Sequence, residues 1–137
     1  MNSNNSGRRK IYVDTSTLID GRILQVAKSN FLSDDLIIPR SVLRELQILA
    51  DGKDKQKRLA ARKGLDVVSE LERMLECNAY ILNDELDHTP VDDRLIELAH
   101  KNHGVIMTND YNLNKVASTE GIVVLNINIL AGDLRDE

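Results

Sequence analysis

Four acidic positions in this chain stand where chemistry could use them. Asp14 closes the apolar run "KIYV", Asp110 follows "VIMT", and Asp92 or Asp93 opens the helical segment "VDDRLIELA". Glu45 lies about one and a half turns into "RSVLREL", bracketed by Leu43 and Leu46. Carboxylates gathered at one place repel each other and raise their own pKa values unless something neutralises them. A divalent cation is the economical neutraliser, and hard oxygen ligands with open water positions suit Mg2+ or Mn2+. One or two such ions can activate a water, orient it on phosphorus and stabilise the leaving oxygen, which is phosphodiesterase chemistry.

Each acid also has an ordinary use. Asp14 and Asp110 could cap helices, Asp92 and Asp93 could complement a helix dipole, and Glu45 could be a solvated helix residue. Their shared placement is what makes them specific, and that depends on the elements carrying them.

Short β-branched runs alternate with amphipathic helical segments along the chain. Ile11 to Asp14, "DDLIIP", "AYIL", "VIMT" and "IVVLNI" read as strands. "TLIDGRILQVAKSNF" reads as one helix, and "RSVLRELQILA" as a second, with Val42, Leu43, Leu46 and Leu49 or Ala50 on one face and Asp51-Gly52 as its stop. A long helix is expected from about Lys53 to Cys77, with Ala60, Gly64, Val67, Val68, Leu71 and Leu75 as its apolar stripe. "VDDRLIELAHKNH" ends at Gly104 in a C-cap role, "YNLNKVASTEG" stops at Gly121, and "NINILAGDL" closes the chain with a short helix. This alternation predicts an α/β fold with a parallel sheet covered on both faces. In such sheets, sites lie outside the carboxyl ends of the strands, where Asp14 and Asp110 fall.

At 137 residues the chain fits one domain with a single core. One Phe, three Tyr and no Trp leave the core to aliphatic residues and make base stacking on aromatic platforms a minor contribution. A formal charge of −4 argues against a protein that coats nucleic acid over its whole surface, but leaves room for a local basic patch. The lone Cys77, within the helical run "SELERMLECN", reads as a half-buried thiol of a reducing compartment. "MNSNNSGRRK" is polar, without a secretion signal, and reads as a disordered leader over residues 1–9. No transmembrane run appears, so the expected location is cytoplasmic and no membrane contact is expected from this chain itself.

The phrases "YVDTSTLIDG", "IIPRSVLREL", "VDDRLIELA" and "VIMTNDYNLNKVA" resemble, in order, the four acidic motifs of PIN-domain nucleases. "LIDGR", "TNDYNLNKVA" and "VLNINILA" are most similar to the bacterial PIN–TRAM proteins, a PilT N-terminus group. Members of that group often carry an N-terminal membrane segment and a C-terminal TRAM domain. This chain would then be the PIN portion, over residues 10–134 with a tail at 135–137, and a longer protein could be tethered to the cytoplasmic face of a membrane.

The resemblance implies a three-layer α/β/α sandwich around a central, mostly parallel five-stranded sheet. Its acidic pocket would hold Mg2+ or Mn2+, as one or two ions, on Asp14, Glu45, Asp92 and Asp110, which would be the catalytic residues. Asp92 is preferred to Asp93 because the family's helix acid usually precedes a small residue by seven positions, here Ala99. The hydroxyls of Thr15, Ser16 and Thr108 would fall near the metals. Many members carry a further acid where this chain has Asn112, an amide that can hold a metal-bound water but lacks the charge.

A nuclease must also hold phosphates. "KDKQKRLAARK" is strongly basic, and Lys55, Arg58 and Arg62 recur at a spacing that shares one helix face. Arg22, Arg40 and Lys115 are placed near the pocket by their motifs. Asp20 reads as a surface helix residue rather than a fifth ligand. His88, His100 and His103 have no ligand spacing and favour neither zinc nor a histidine general acid. A receiver-like phosphoacceptor role for Asp14 is disfavoured, because no paired acid and no lysine occur where that chemistry needs them. The expected function is a metal-dependent endonuclease, with RNA favoured over DNA as partner and a homodimer left open. The competing expectation is a non-catalytic nucleic-acid-binding or assembly module that keeps the acidic pocket.

Overall fold

A computed structural model describes residues 8–29, 34–84 and 87–135 of the chain. The elements run β1 (Lys10–Val13), α1 (Thr15–Asp20), α2 (Ile23–Lys28), β2 (Asp35–Pro39), α3 (Arg40–Ala50), α4 (Lys55–Arg73) and β3 (Asn78–Leu82). They continue with α5 (Val91–Asn102), β4 (Val105–Met107), α6 (Tyr111–Thr119), β5 (Val124–Leu125) and α7 (Ile127–Arg135). All strand pairings are parallel, in the order β3-β2-β1-β4-β5. The sheet and its helices form the expected three-layer α/β/α fold. The chain winds outward from β1 through β2 to β3, then crosses back to β4 on the other side. Strand order therefore reverses between β1 and β4, the crevice where open α/β sheets bind their ligands.

The core is aliphatic. Ile11, Val13, Leu36, Ile38, Ile106 and Met107 are fully buried in the central strands, and Tyr12 is the one large aromatic side chain among them. Central strands buried on both faces carry unbroken apolar runs, which is why "KIYV" and "DLIIP" do not alternate. Helix α3 buries Val42, Leu43, Leu46 and Ala50, spaced to put one stripe on the core, and ends at Asp51.

Several elements depart from the expected pattern. The first helix is two: Gly21 takes φ +86° and closes α1, and α2 starts afresh at Ile23. Left-handed backbone there suits glycine above other residues. The long helix stops at Arg73, with Met74 already extended, so Leu75 is 98% exposed rather than part of the stripe, and Ala61 replaces Ala60 on the buried face. Cys77 lies beyond the helix, where its thiol reaches the Leu71 carbonyl and burial raises its pKa. The cap of α5 is His103 at φ +53°, not Gly104. Gly104 is needed for space instead: a Cβ there would sit 2.7 Å from the Tyr12 ring and 2.9 Å from the Lys10 carbonyl oxygen. Strand β5 has two residues, because Ile127 already begins α7.

Residues 1–7 of the expected leader and residues 136–137 of the expected tail lie outside the described residues. Arg8 and Arg9 pair with Asp35 and Asp34, and α7 runs through Arg135. Among the described residues no helix is long and apolar enough to cross a membrane.

Candidate active site

Asp14 follows β1 directly, and its backbone N–H donates to the Met107 carbonyl at the end of β4. This bond fixes Asp14 at the crevice between the two strands. The residue is 4% exposed. It occupies the N-cap position of α1 but makes no cap hydrogen bond. Its Oδ2 instead accepts from the Ser16 hydroxyl at 2.9 Å and the Thr108 hydroxyl at 2.7 Å. The capping explanation for this residue is therefore not the one the fold uses.

Thr108 is fully buried one step beyond β4. While donating to Asp14, its Oγ1 accepts the backbone N–H of Asp110 at 2.9 Å. Asp110 does cap α6, with Oδ1 accepting the N–H groups of Asn112 and Leu113. Glu45 joins from α3: the Thr15 hydroxyl, at the start of α1, donates to Glu45 Oε1. Hydroxyls thus anchor acids from three parts of the chain: Thr15, next in sequence to Asp14, holds the Glu45 carboxylate, and Thr108 holds the Asp14 carboxylate and the backbone of Asp110.

Asp92 completes the set from the first turn of α5. It is exposed and makes no hydrogen bond among the described residues. Its carboxyl is nevertheless pushed up to about 6, first by desolvation and then by the charges of Asp14, Asp110, Glu45 and Asp93. The negative field of the other acids reaches Asp92, as expected for converging carboxylates. Among the described residues, no three His, Cys, Asp or Glu side chains already close into a metal-ligand cluster.

The hydroxyl residues expected near the pocket, Thr15, Ser16 and Thr108, all lie in it. Ser16 also accepts the Asn109 backbone N–H, at 3.2 Å. Asn112 contributes its backbone N–H to Asp110, and its side chain is exposed. The basic residues are more dispersed. Arg22 forms a double contact with Asp20 and reaches Asn128. Arg40 donates to Asn83, Arg58 donates to the Gly52 carbonyl, and Lys115 lies over the Tyr111 ring. Lys55 and Arg62 are exposed on α4.

Two residues stand closer to the site than their sequence context indicates. Asp20 receives the Asn109 amide at 3.4 Å, and the Arg22 guanidinium holds its carboxyl below the usual range. Arg94, 9% exposed, is gripped by Asp87 and Glu97 and lies 3.6 Å from Asp84. Asp84 in turn accepts the backbone N–H and hydroxyl of Ser41. This network fastens the start of α5, with Asp92, to the start of α3, which carries Glu45. A helical arginine of this kind gives little local signal, since Asp84 and Asp87 lie in the preceding loop and only Glu97 shares its helix.

Known proteins resemble this chain in both sequence and fold. The family profile described as a PIN-like domain matches residues 22–129, and the chain belongs to this PIN-domain family. It is 41% identical over 124 residues to the uncharacterized PIN and TRAM-domain containing protein YacL of Bacillus subtilis, covering 90% of this chain and 34% of the relative. Against the corresponding Synechocystis protein slr1972 it is 40% identical over 124 residues, again with 90% and 34% covered. The chain thus spans about a third of the length of the curated relatives it matches.

A domain of a functionally unknown protein from Methanocaldococcus jannaschii superposes with TM-score 0.71 at 22% identity, covering 86% of this chain and 90% of that one. The PilT N-terminus domain protein SSO1118 of Sulfolobus solfataricus superposes with TM-score 0.54 at 15% identity, covering 90% and 92%. These two likenesses establish the fold.

Proposed function

We propose that this chain is a divalent-metal-dependent endonuclease domain that hydrolyses phosphodiester bonds, with RNA as its favoured polymer. The supporting observation is the convergence of Asp14, Glu45 and Asp110 through Thr15 and Thr108 at the crevice where strand order reverses. Membership of a family whose members are generally nucleases agrees with it.

The residues fit Mg2+ or Mn2+. Asp14, Glu45 and Asp110 each use one carboxylate oxygen for hydrogen bonds among the described residues, leaving the other without a protein partner. Asp92 has both oxygens in that state. These four would hold the ion, and hard oxygen donors suit it. Bound there, the ion would lower the pKa of a water and offset charge on the phosphate. The chain's own part is positional: Ser16 and Thr108 hold Asp14, and Thr15 holds Glu45. Asp92, whose carboxyl is raised to about 6 in the chain alone, is the acid whose charged form a bound cation would favour most. Lys55 and Arg62 on α4 are free to meet phosphates of a bound strand.

A non-catalytic binding module is the competing reading. It is favoured by Asn112 in place of an acid and by acidic side chains that, among the described residues, do not close into a ligand cluster. Cleavage of end-labelled single-stranded RNA, duplex RNA and single-stranded DNA in Mn2+ separates the two. The nuclease reading requires fragments from the native chain and at least a hundredfold slower cleavage by Asp14→Asn. Binding without cleavage, or equal cleavage by both proteins, would reject it.

A further inference from the structure

A groove of about 350 Å³ opens beside the acidic site, between α3 and the start of α5. Its α3 wall includes Arg44, Glu45, Ile48 and Leu49, and the facing wall runs from Asp87, whose carboxylate is paired with Arg94, to Pro90 and Val91. Both walls run into the site, since Glu45 belongs to groove and site alike and Val91 immediately precedes Asp92. We propose that this groove holds one unpaired nucleobase of the strand, next to the phosphate at the carboxylates. The inference rests on the nuclease reading for its neighbour but not for its test.

Three features favour a base over other occupants. The volume is at the low end of small-ligand sites, so it admits one flat ring system and not a duplex. Ile48 is 62% exposed among the described residues, and with Leu49, Pro90 and Val91 it offers aliphatic surface to the faces of a ring. Arg44 sits one helical turn before Ile48 on the same face and makes no hydrogen bond or ion pair among the described residues. A free guanidinium plane stacks on a base and offsets the negative charge that Glu45 brings, and splayed single-stranded bases are the part of RNA that proteins read this way. Among the described residues the groove has no aromatic side chain in its lining, so it selects for an unpaired base rather than for a particular one.

The test is a titration of the metal-free, isotope-labelled chain with each of the four nucleoside 5′-monophosphates, and with ribose 5-phosphate as the probe without a base. Amide shifts at Ile48, Leu49 and Val91 with the nucleotides, and none there with ribose 5-phosphate, are expected. The surface variants Ile48→Ser and Arg44→Ala should each weaken nucleotide binding about tenfold. Equal shifts with ribose 5-phosphate, or none with any nucleotide, would overturn the proposal. So would burial of Ile48 by self-association at rising protein concentration, which would assign the groove to a second copy. Shifts without RNA cleavage would support the groove and reject the nuclease reading; cleavage without shifts would do the reverse.

Discussion

Thr108 donates its hydroxyl proton to Asp14 Oδ2 across 2.7 Å, and in doing so joins the ends of two adjacent parallel strands at the point where strand order reverses. The same hydroxyl oxygen receives the Asp110 backbone N–H, so one buried group sets the spacing between two of the acids. A methyl in its place would fit sterically but would leave Asp14 and the Asp110 N–H each short of a partner.

Thr108→Val should therefore cost about 1–3 kcal/mol in stability, the penalty for unsatisfied buried groups. Chemical denaturation measures it. A loss below about half a kcal/mol, the low end for a net hydrogen bond, would mean that the hydroxyl organises nothing.

The Asp92 carboxyl titrates at about 6 in the folded chain against an ordinary 3.8. Folding thus favours its protonated form. The stabilisation is fully present below the ordinary value and is lost as pH rises through about 6. Solvent screening at this exposed side chain limits the effect to about 1 kcal/mol. Metal-free Asp92→Asn should consequently melt about 3 °C above the native chain at pH ~8 and level with it at pH ~3.5. Thermal melts at the two pH values read this directly, and a less stable variant at the higher pH would contradict it.

Arg94 is the counter-charge for Asp84, whose side chain is only 3% exposed. Arg94→Met would strand that carboxylate and should cost about 3 kcal/mol. Asp84→Asn in the same chain should recover part of the loss, because the uncompensated charge is gone. A double-mutant cycle on denaturant midpoints measures the coupling, and additive costs would show that the two side chains act independently.

Gly104→Ala should destabilise by about 1–3 kcal/mol, since the new Cβ would overlap the Tyr12 ring and the Lys10 carbonyl. Combining it with Tyr12→Leu should relieve the ring overlap and leave the carbonyl clash. A neutral Gly104→Ala would show that β1 and the α5–β4 turn can separate without cost.

Much of this arrangement was legible in the sequence because it depends on period and position. The β-branched runs, the stripe Val42, Leu43, Leu46 and the placement of Asp14 and Asp110 after strands all follow from local rules. The break at Gly21 was hidden because Ile23, Val26 and Ala27 resume core-facing spacing in α2, so the apolar period runs across the gap. The overlong α4 has a similar origin: Leu75 keeps the period by number after the helix has ended. Pairing at a distance leaves no such trace. Thr15 with Glu45, Asp20 with Asn109 and Arg94 with Asp84 are 30, 89 and 10 residues apart, and nothing local in any of them names its partner.

Asp14, Glu45 and Asp110, anchored by Thr15 and Thr108, should together with Asp92 hold a divalent cation. Isothermal titration of the metal-free chain with Mn2+ at pH about 6, repeated in buffers of different ionisation enthalpy, tests it most directly. Saturable binding that releases about half a proton from Asp92 is expected, with Asp14→Asn and Asp110→Asn each binding at least tenfold more weakly and Asp93→Asn unchanged. Absence of saturable Mn2+ binding, or equal binding by Asp14→Asn, would rule out a cation site on these carboxylates.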